Sequence, residues 1–425
     1  MITVGLDFGT HQTKVCIERK ERAELEYSFM KFRDCSGQEQ YTLPSIISIQ
    51  PDGKLRYGYL TDNDNGKIIR YFKQATFNGT QSQALTHEDA MFYSILYLAY
   101  VLFDLEEQYG QNFVIQMGAP TDTGHLKQAK AMAVRLLASA YGLVEELFDG
   151  NKQEFLDTPL EVLRHVTEIR PYSDHDKETF GILVFPEAYA CLNPLISQGK
   201  VSSGMSVMFD IGGGTTDVSF FTIENNMPQV YDFFSINKGL NYLTDSKPED
   251  SFRKDSNAIS TDLKEHLIAS YQNHVNQRFN DLYQRIVKNF RHNTKFSVEK
   301  LKRVLRNRPI IYCGGGSTFG KLRRGYAGFT ELHLVSEKEW DARSVIEMAD
   351  ITEKKLCPIL STAYGLAISR ADDKIKMKPF NDLFDHMRDY EEDTTHPMSR
   401  AYKGPKSTFG QDIGGVAYED YDAYK

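Results

Sequence analysis

The chain has 425 residues, with 50 basic and 58 acidic side chains and a formal charge of −8. At about one domain per 150 residues it makes two or three structural units, and a chain this long buries roughly three quarters of its unfolded surface. Hydrophobic residues at 41% and charged residues at 25% exclude a mostly disordered chain, and the acidic balance argues against a surface coated in positive charge for nucleic acid. Cys16, Cys35, Cys191, Cys313 and Cys357 are scattered with no CxxC pair, so they read as small core residues in a reducing compartment. The start, MITVGLDFGT, lacks the charged and apolar regions of a signal peptide. The longest apolar run, Met91–Phe103, is too short to span a bilayer, so no membrane span and a cytoplasmic location are expected.

In chain order, a strand at Ile2–Leu6 leads through a polar turn to a second at Lys14–Glu18, where alternating Val15 and Ile17 give a half-buried period. Residues 41–80 hold many turn residues and read as short strands and loops. A helix follows at His87–Gln108, then a strand at Phe113–Met117. Thr121 or Asp122 can cap a helix over His125–Tyr141 that Gly142 closes. The 155–176 stretch has no clear period. Strands are expected at Gly181–Phe185, Met205–Ile211, Asp217–Thr222 and Pro309–Cys313, and helices from Pro186, over most of Thr261–Arg306 and at Pro358–Arg370. Alternating strands and helices make an α/β protein. Two stretches differ from the rest. Arg278–Arg308 holds ten Lys or Arg against two acids, which reads as a solvated helix face or as cations beside a ligand or acidic partner. The tail 386–425 has one isoleucine and one valine, too few to bury a core, and reads as flexible.

The strongest motif is an internal repeat. Val4-Gly5-Leu6-Asp7-Phe8-Gly9-Thr10 and Met208-Phe209-Asp210-Ile211-Gly212-Gly213-Gly214-Thr215 share one plan: an apolar strand, an aspartate, then a glycine-hydroxyl turn into another strand. Glycines let backbone N–H groups approach phosphate oxygens, hydroxyls add donors, and two facing carboxylates suit a hydrated Mg²⁺. A third strand, Ile310–Cys313, runs into Gly314-Gly315-Gly316-Ser317, where a following helix N-terminus suits a phosphate or ribose oxygen. Gly315, Gly320 and Lys321 also match the start of a P-loop, but position 322 is Leu, which removes the Mg²⁺-binding hydroxyl.

Five landmarks in order resemble the actin-like ATPase superfamily, which includes actin, bacterial actins and the nucleotide-binding domain of DnaK-type chaperones. They are Asp7–Lys14, Phe185–Leu192, Asp210–Asp217, Gly314–Ser317 and Ser361–Ile368. The resemblance covers about residues 1–380 and implies two RNase-H-like lobes closing on Mg-ATP. Lobe I would be 1–190 with 358–385 returning to it, and lobe II 191–357. Asp7 and Asp210 would organise Mg²⁺ through its waters. Gly9, Thr10, His11, Lys14, Gly212, Gly213, Gly214 and Thr215 would hold the phosphates of ATP or ADP, and Gly239, Gly314, Gly315, Gly316 and Ser317 the nucleoside side. Glu187 would orient or deprotonate the attacking water, and Lys14 or Lys73 would offset developing negative charge. Plainer roles stay open: Glu187 suits the first turn of any helix, and Lys14 or Lys73 could be solvated.

Asp210–Asp217 and Tyr71-Phe72-Lys73 resemble the chaperone form, whereas Lys14 and the order Pro186-Glu187 resemble plasmid-segregation actins. No β-rich substrate-binding domain is read after residue 380, so the expected match is a stand-alone nucleotide-binding domain that switches a partner protein. A filament-forming bacterial actin is the alternative, and a weakly catalytic scaffold, with Phe185 where the chaperone has an acid, the third. The basic stretch leaves nucleic acid open as a partner, with no other support.

Overall fold

A computed structural model describes residues 2–240 except 23, 62, 79–84, 121–123, 200, 202–205, 225–226 and 237; beyond them it describes 265–266, 268–275, 277, 281, 310–318, 339–341, 348, 351, 356–375, 377 and 378. The tail, the basic stretch apart from residue 281, the expected cap at 121–122 and residues 320–321 of the P-loop-like match lie outside the described residues. The protein is mixed α/β, with two main sheets.

In the first sheet β1 (Ile2–Asp7), β2 (Gln12–Glu21) and β3 (Glu24–Phe29) form an antiparallel meander. Six short strands follow: β4 (Phe32–Arg33), β5 (Glu39–Gln40), β6 (Leu43–Pro44), β7 (Ile47–Ile49), β8 (Leu55–Tyr57) and β9 (Lys67–Ile69). The helix α1 (Phe72–Asn78) comes next, in a stretch whose turn residues suggest only strands and loops. After α2 (His87–Tyr109), β10 (Phe113–Ala119) pairs parallel to β1. Beyond α3 (Leu126–Tyr141), α4 (Lys152–Asp157), α5 (Leu160–Val166) and α6 (Asp174–Thr179), β11 (Ile182–Pro186) pairs parallel to β10. The order is β3-β2-β1-β10-β11.

Two short helices, α7 (Glu187–Ala190) and α8 (Leu192–Ser197), lead to the second sheet. There β12 (Ser206–Ile211), β13 (Thr216–Glu224) and β14 (Met227–Ile236) form an antiparallel meander, and β15 (Ile310–Cys313) and β16 (Glu339–Asp341) add parallel strands. Its order, β14-β13-β12-β15-β16, repeats the plan of the first.

β1 is buried along most of its length because both faces are covered. On one side Val4, Leu6, Val15 and Ile17 share an apolar cluster with Leu96, Ala99 and Leu102 of α2. On the other, the Cys357–Ala367 helix packs on β1 and β2 through Leu360, Ala363 and Ala367. This second cover changes the expected pattern of β2. Cys16 is buried as fully as Val15 and Ile17, and Glu18, turned from solvent, accepts a hydrogen bond from Tyr27 Oη at 2.5 Å. Gly142 does not end α3; its φ of −57° is helical, and the chain runs on into a π-helical turn at Gly142–Leu147. A Cβ there would lie 2.9 Å from Arg170 Nη2, so the glycine makes room for that guanidinium.

The Cys357–Ala367 helix also packs on α7 and α8, which places it between the sheets. After it, Asp373 accepts from Lys177 Nζ at 3.0 Å and from the Val184 amide at 3.2 Å, beside the first sheet. Five residues on, Lys378 Nζ donates to Glu224 Oε2 at 2.6 Å and its amide to the Val230 carbonyl at 2.9 Å, at the far edge of the second sheet. Among the described residues no helix is long and apolar enough to cross a membrane. Gly365 meets the Ala190 carbonyl so closely that no side chain fits. Gly365→Ala is expected to lower unfolding stability in urea by about 1–3 kcal/mol, as for an overpacked core site.

Candidate functional site

The two repeated motifs form matching hairpins. In the first, Asp7 ends β1 and pairs across the ladder with Lys14; in the second, Asp210 pairs with Asp217 at the corresponding register. Lys14 Nζ donates to Asp7 Oδ2 at 2.9 Å, with little of either side chain exposed. Burial alone would lower the Lys14 ammonium, but Asp7, then Asp210 and Glu187, outweigh it and hold it above its ordinary value.

Where the first hairpin has Lys14 the second has a carboxylate. Thr215 Oγ1 donates to Asp217 Oδ2 at 3.0 Å, while the buried Asp217 Oδ1 has no hydrogen-bond partner among the described residues. Burial, then Glu187 and Asp210, push the Asp217 carboxyl up from 3.8 to about 8.

Glu187 begins α7 at the end of β11. A Cβ on Gly118 would lie 2.8 Å from its Cγ, so the neighbouring strand β10 leaves room for the acid. Lys73 Nζ donates to Glu187 Oε1 at 2.5 Å and lies 5.8 Å above the Phe8 ring. Burial pushes the Glu187 carboxyl up, partly offset by Lys73. Lys73 sits in the first turn of α1, and Tyr71 just before it holds a left-handed φ of 59°. Such backbone strain in a non-glycine residue persists where packing fixes a local geometry.

The hairpin turns meet. A Cβ on Gly214 would lie 2.6 Å from Thr10 Cγ2, so only glycine lets turn two come this close to turn one. Turn two is closed by Gly212 N to Thr215 O at 2.9 Å and backed by Leu240 N to Gly212 O at 2.9 Å. A Cβ on Gly239 would lie 2.5 Å from the carbonyls of Gly212 and Gly213, so Gly239 supports that turn directly. Turn one is tied down by Ser45, whose hydroxyl donates to Gly9 O at 2.6 Å and whose amide donates to His11 O at 2.9 Å. Burial, then Lys14 and Arg70, push His11 down to about 4, so it is neutral at pH 7.

Gly314, at φ +78°, follows β15 and lies against Asp210 Oδ1 and the Ile211 carbonyl. Residues Gly315–Thr318 make a short 3-10 turn in which Ser317 Oγ donates to Gly314 O at 2.7 Å. The Ser317 hydroxyl thus holds its own loop. The structure brings both hairpins, Glu187, Lys73 and the Gly314 loop to one place.

The sequence motifs assign no role to three residues here. Cys191 Sγ and Thr362 Oγ1 lie 2.9 and 3.2 Å from Asp210 Oδ2. Cys191, read from sequence only as core filler, is therefore a donor to the site. Arg70, just past β9 and mostly buried, adds positive charge beside His11. Only their places inside or next to quoted segments could have pointed to them.

Four buried carboxyl groups thus lie together with two lysines, Lys14 donating to Asp7 and Lys73 to Glu187, and Asp217 Oδ1 has no hydrogen-bond partner among the described residues. That donor set fits a hydrated divalent cation such as Mg²⁺, which prefers few protein ligands. Among the described residues no group of three or more His, Cys, Asp or Glu side chains is placed to hold a metal ion. No protein-family model matches the chain, and no curated protein matches it.

Two outcomes follow from this geometry. Lys73→Met leaves Glu187 buried without its cation and is expected to cost about 3 kcal/mol in urea unfolding, most of it recovered in Lys73→Met/Glu187→Leu. Asp217 keeps its proton in the folded state between its ordinary 3.8 and about 8, where the unfolded chain has lost it. Stability therefore falls as pH rises through that window. Measured against Asp217→Asn, wild-type stability should drop from pH 4 to pH 8 and level off above; a flat difference would mean that Asp217 ionises normally.

Proposed function

We propose that the chain is a Mg-ATP-dependent ATPase resembling the actin-like superfamily, acting in the cytoplasm as a DnaK-type switch on a partner protein. One observation carries this reading: two sheets of the same strand order present matching Asp-Gly-hydroxyl turns that touch at Thr10 and Gly214. In this reading the two RNase-H-like lobes, 1–190 with 358–385 and 191–357, would each be built around one of the two sheets.

In the proposed reaction the phosphates of ATP lie against both turns where they meet. Thr10 and the amides of Gly9, Gly213 and Gly214 hold the β- and γ-phosphates, with neutral His11 adding a ring donor, while Gly212 and Thr215 hold the shape of turn two through their own hydrogen bonds. Mg²⁺, held through its waters by Asp7 and Asp210, would neutralise phosphate charge. Lys14 adds a cation on the Asp7 side. Gly314, Gly315, Gly316 and Ser317, with Gly239, shape the nucleoside side. Glu187, its carboxyl raised by burial, orients water for in-line attack and accepts its proton, while Lys73 keeps Glu187 in place and offsets charge at the γ-phosphate.

A filament-forming bacterial actin is the second reading, supported by Lys14 and the order Pro186-Glu187, which resemble plasmid-segregation actins. One experiment separates the two. Purified protein is sedimented with and without Mg-ATP and phosphate release is read from the same tubes. The switch reading expects hydrolysis without a pellet, falling at least about 100-fold in Asp210→Ala. A pellet that forms with Mg-ATP and dissolves after hydrolysis supports the filament. No hydrolysis above the Asp210→Ala background contradicts both.

A further inference from the structure

The two hydrogen bonds described for Asp210 fall on one of its oxygens. Cys191 Sγ lies 2.9 Å from Oδ2 and Thr362 Oγ1 lies 3.2 Å from the same atom, while the thiol and hydroxyl are 2.7 Å apart. The Cys191 thiol also faces the Cys313 thiol; among these groups the Asp210 carboxyl, pushed up by burial and lowered by Cys191 and Thr362, is the strongest acceptor. All three side chains are buried. Burial holds the Cys191 thiol well above its usual range, which keeps its hydrogen in place. Cys191 follows α7, its amide bonded to the Glu187 carbonyl at 3.0 Å, and Thr362 lies within the Cys357–Ala367 helix. Each of the segments that pass between the sheets thus contributes one donor. Oδ1 lies instead beside Gly314.

We propose that Cys191 and Thr362 are positioning residues that pin Oδ2 of Asp210 from both connecting segments and so present Oδ1 to the Mg-ATP site. The inference rests on the ATPase reading above. The relevant property is a donor of the right reach, not sulfur chemistry. Serine at 191 keeps a donor and alanine removes it; valine at 362 keeps the shape of threonine without its hydroxyl.

The test uses the full chain and Cys191→Ala, Cys191→Ser and Thr362→Val. Mg²⁺ is titrated calorimetrically in the presence of a non-hydrolysable ATP analogue, analogue affinity is measured in EDTA, and kcat and KM come from phosphate release. Thermal unfolding shows which variants fold. Cys191→Ala and Thr362→Val should each weaken Mg²⁺ binding or kcat by about 10- to 100-fold, the usual effect of losing a partner that orients a metal-facing group. Analogue affinity in EDTA should stay unchanged, and Cys191→Ser should restore most of the loss. A wild-type chain that binds and hydrolyses Mg-ATP, with folded variants that match it in both assays, would overturn this inference alone. Equal losses in serine and alanine variants, or effects confined to thermal stability, would reduce the pair to packing. A wild-type chain that neither binds nor hydrolyses Mg-ATP overturns the ATPase reading and this inference with it.

Discussion

Asp7, Glu187, Asp210 and Asp217 lie buried within electrostatic reach of one another, and Lys14 and Lys73 are paired into them. Desolvating a carboxylate costs several kcal/mol unless a cation or donors repay it. The structure repays that cost unevenly. Asp7 has Lys14 and Glu187 has Lys73, whereas Asp210 leans on a thiol and a hydroxyl, and Asp217 has one threonine donor and a carboxyl raised far enough to stay protonated near neutral pH. A site that keeps excess buried carboxylate is poised for a positively charged or proton-bearing ligand, and perturbed groups of this kind cluster where proteins do chemistry.

The repeat is what allows the imbalance. One hairpin plan, used twice, places an aspartate near the end of a strand and a glycine turn after it. The ladder position across from that aspartate then decides the charge: lysine in one copy, aspartate in the other. The hairpins therefore contribute unlike groups to one place, a cationic side at Lys14 and an acidic side at Asp217. The helix Cys357–Ala367, wedged between the sheets, and the segment from Asp373 to Lys378 tie the two halves together around that junction.

Much of this was legible in the sequence because it rests on local rules. The strands at the two repeats, the glycine turns and the acid after Pro186 follow from period, turn chemistry and helix-start preference, and the structure places them accordingly. What was not legible depends on long-range packing. Glu18 alternates as a solvent-facing residue, but Tyr27 and the chain at Ser369 cover it. Gly142 has the chemistry of a helix stop, yet Arg170, distant in sequence, makes it a clearance residue. Cys191 and Thr362 lie inside two of the landmark segments but carry no role there, and only the crossing of those segments sets them on Asp210. Lys73 shows the intermediate case: its segment could be picked out, but its pairing with Glu187 spans 114 residues and needs the fold.

The proposed function requires one nucleotide to be held by both hairpins at once. Hydrogen exchange read by mass spectrometry, with and without Mg-ATP, tests it most directly. The turn amides at 9–13 and at 212–216 should gain protection together, and Asp210→Ala should lose both. Protection confined to one turn, or absent from both while ATP binds elsewhere, would contradict it.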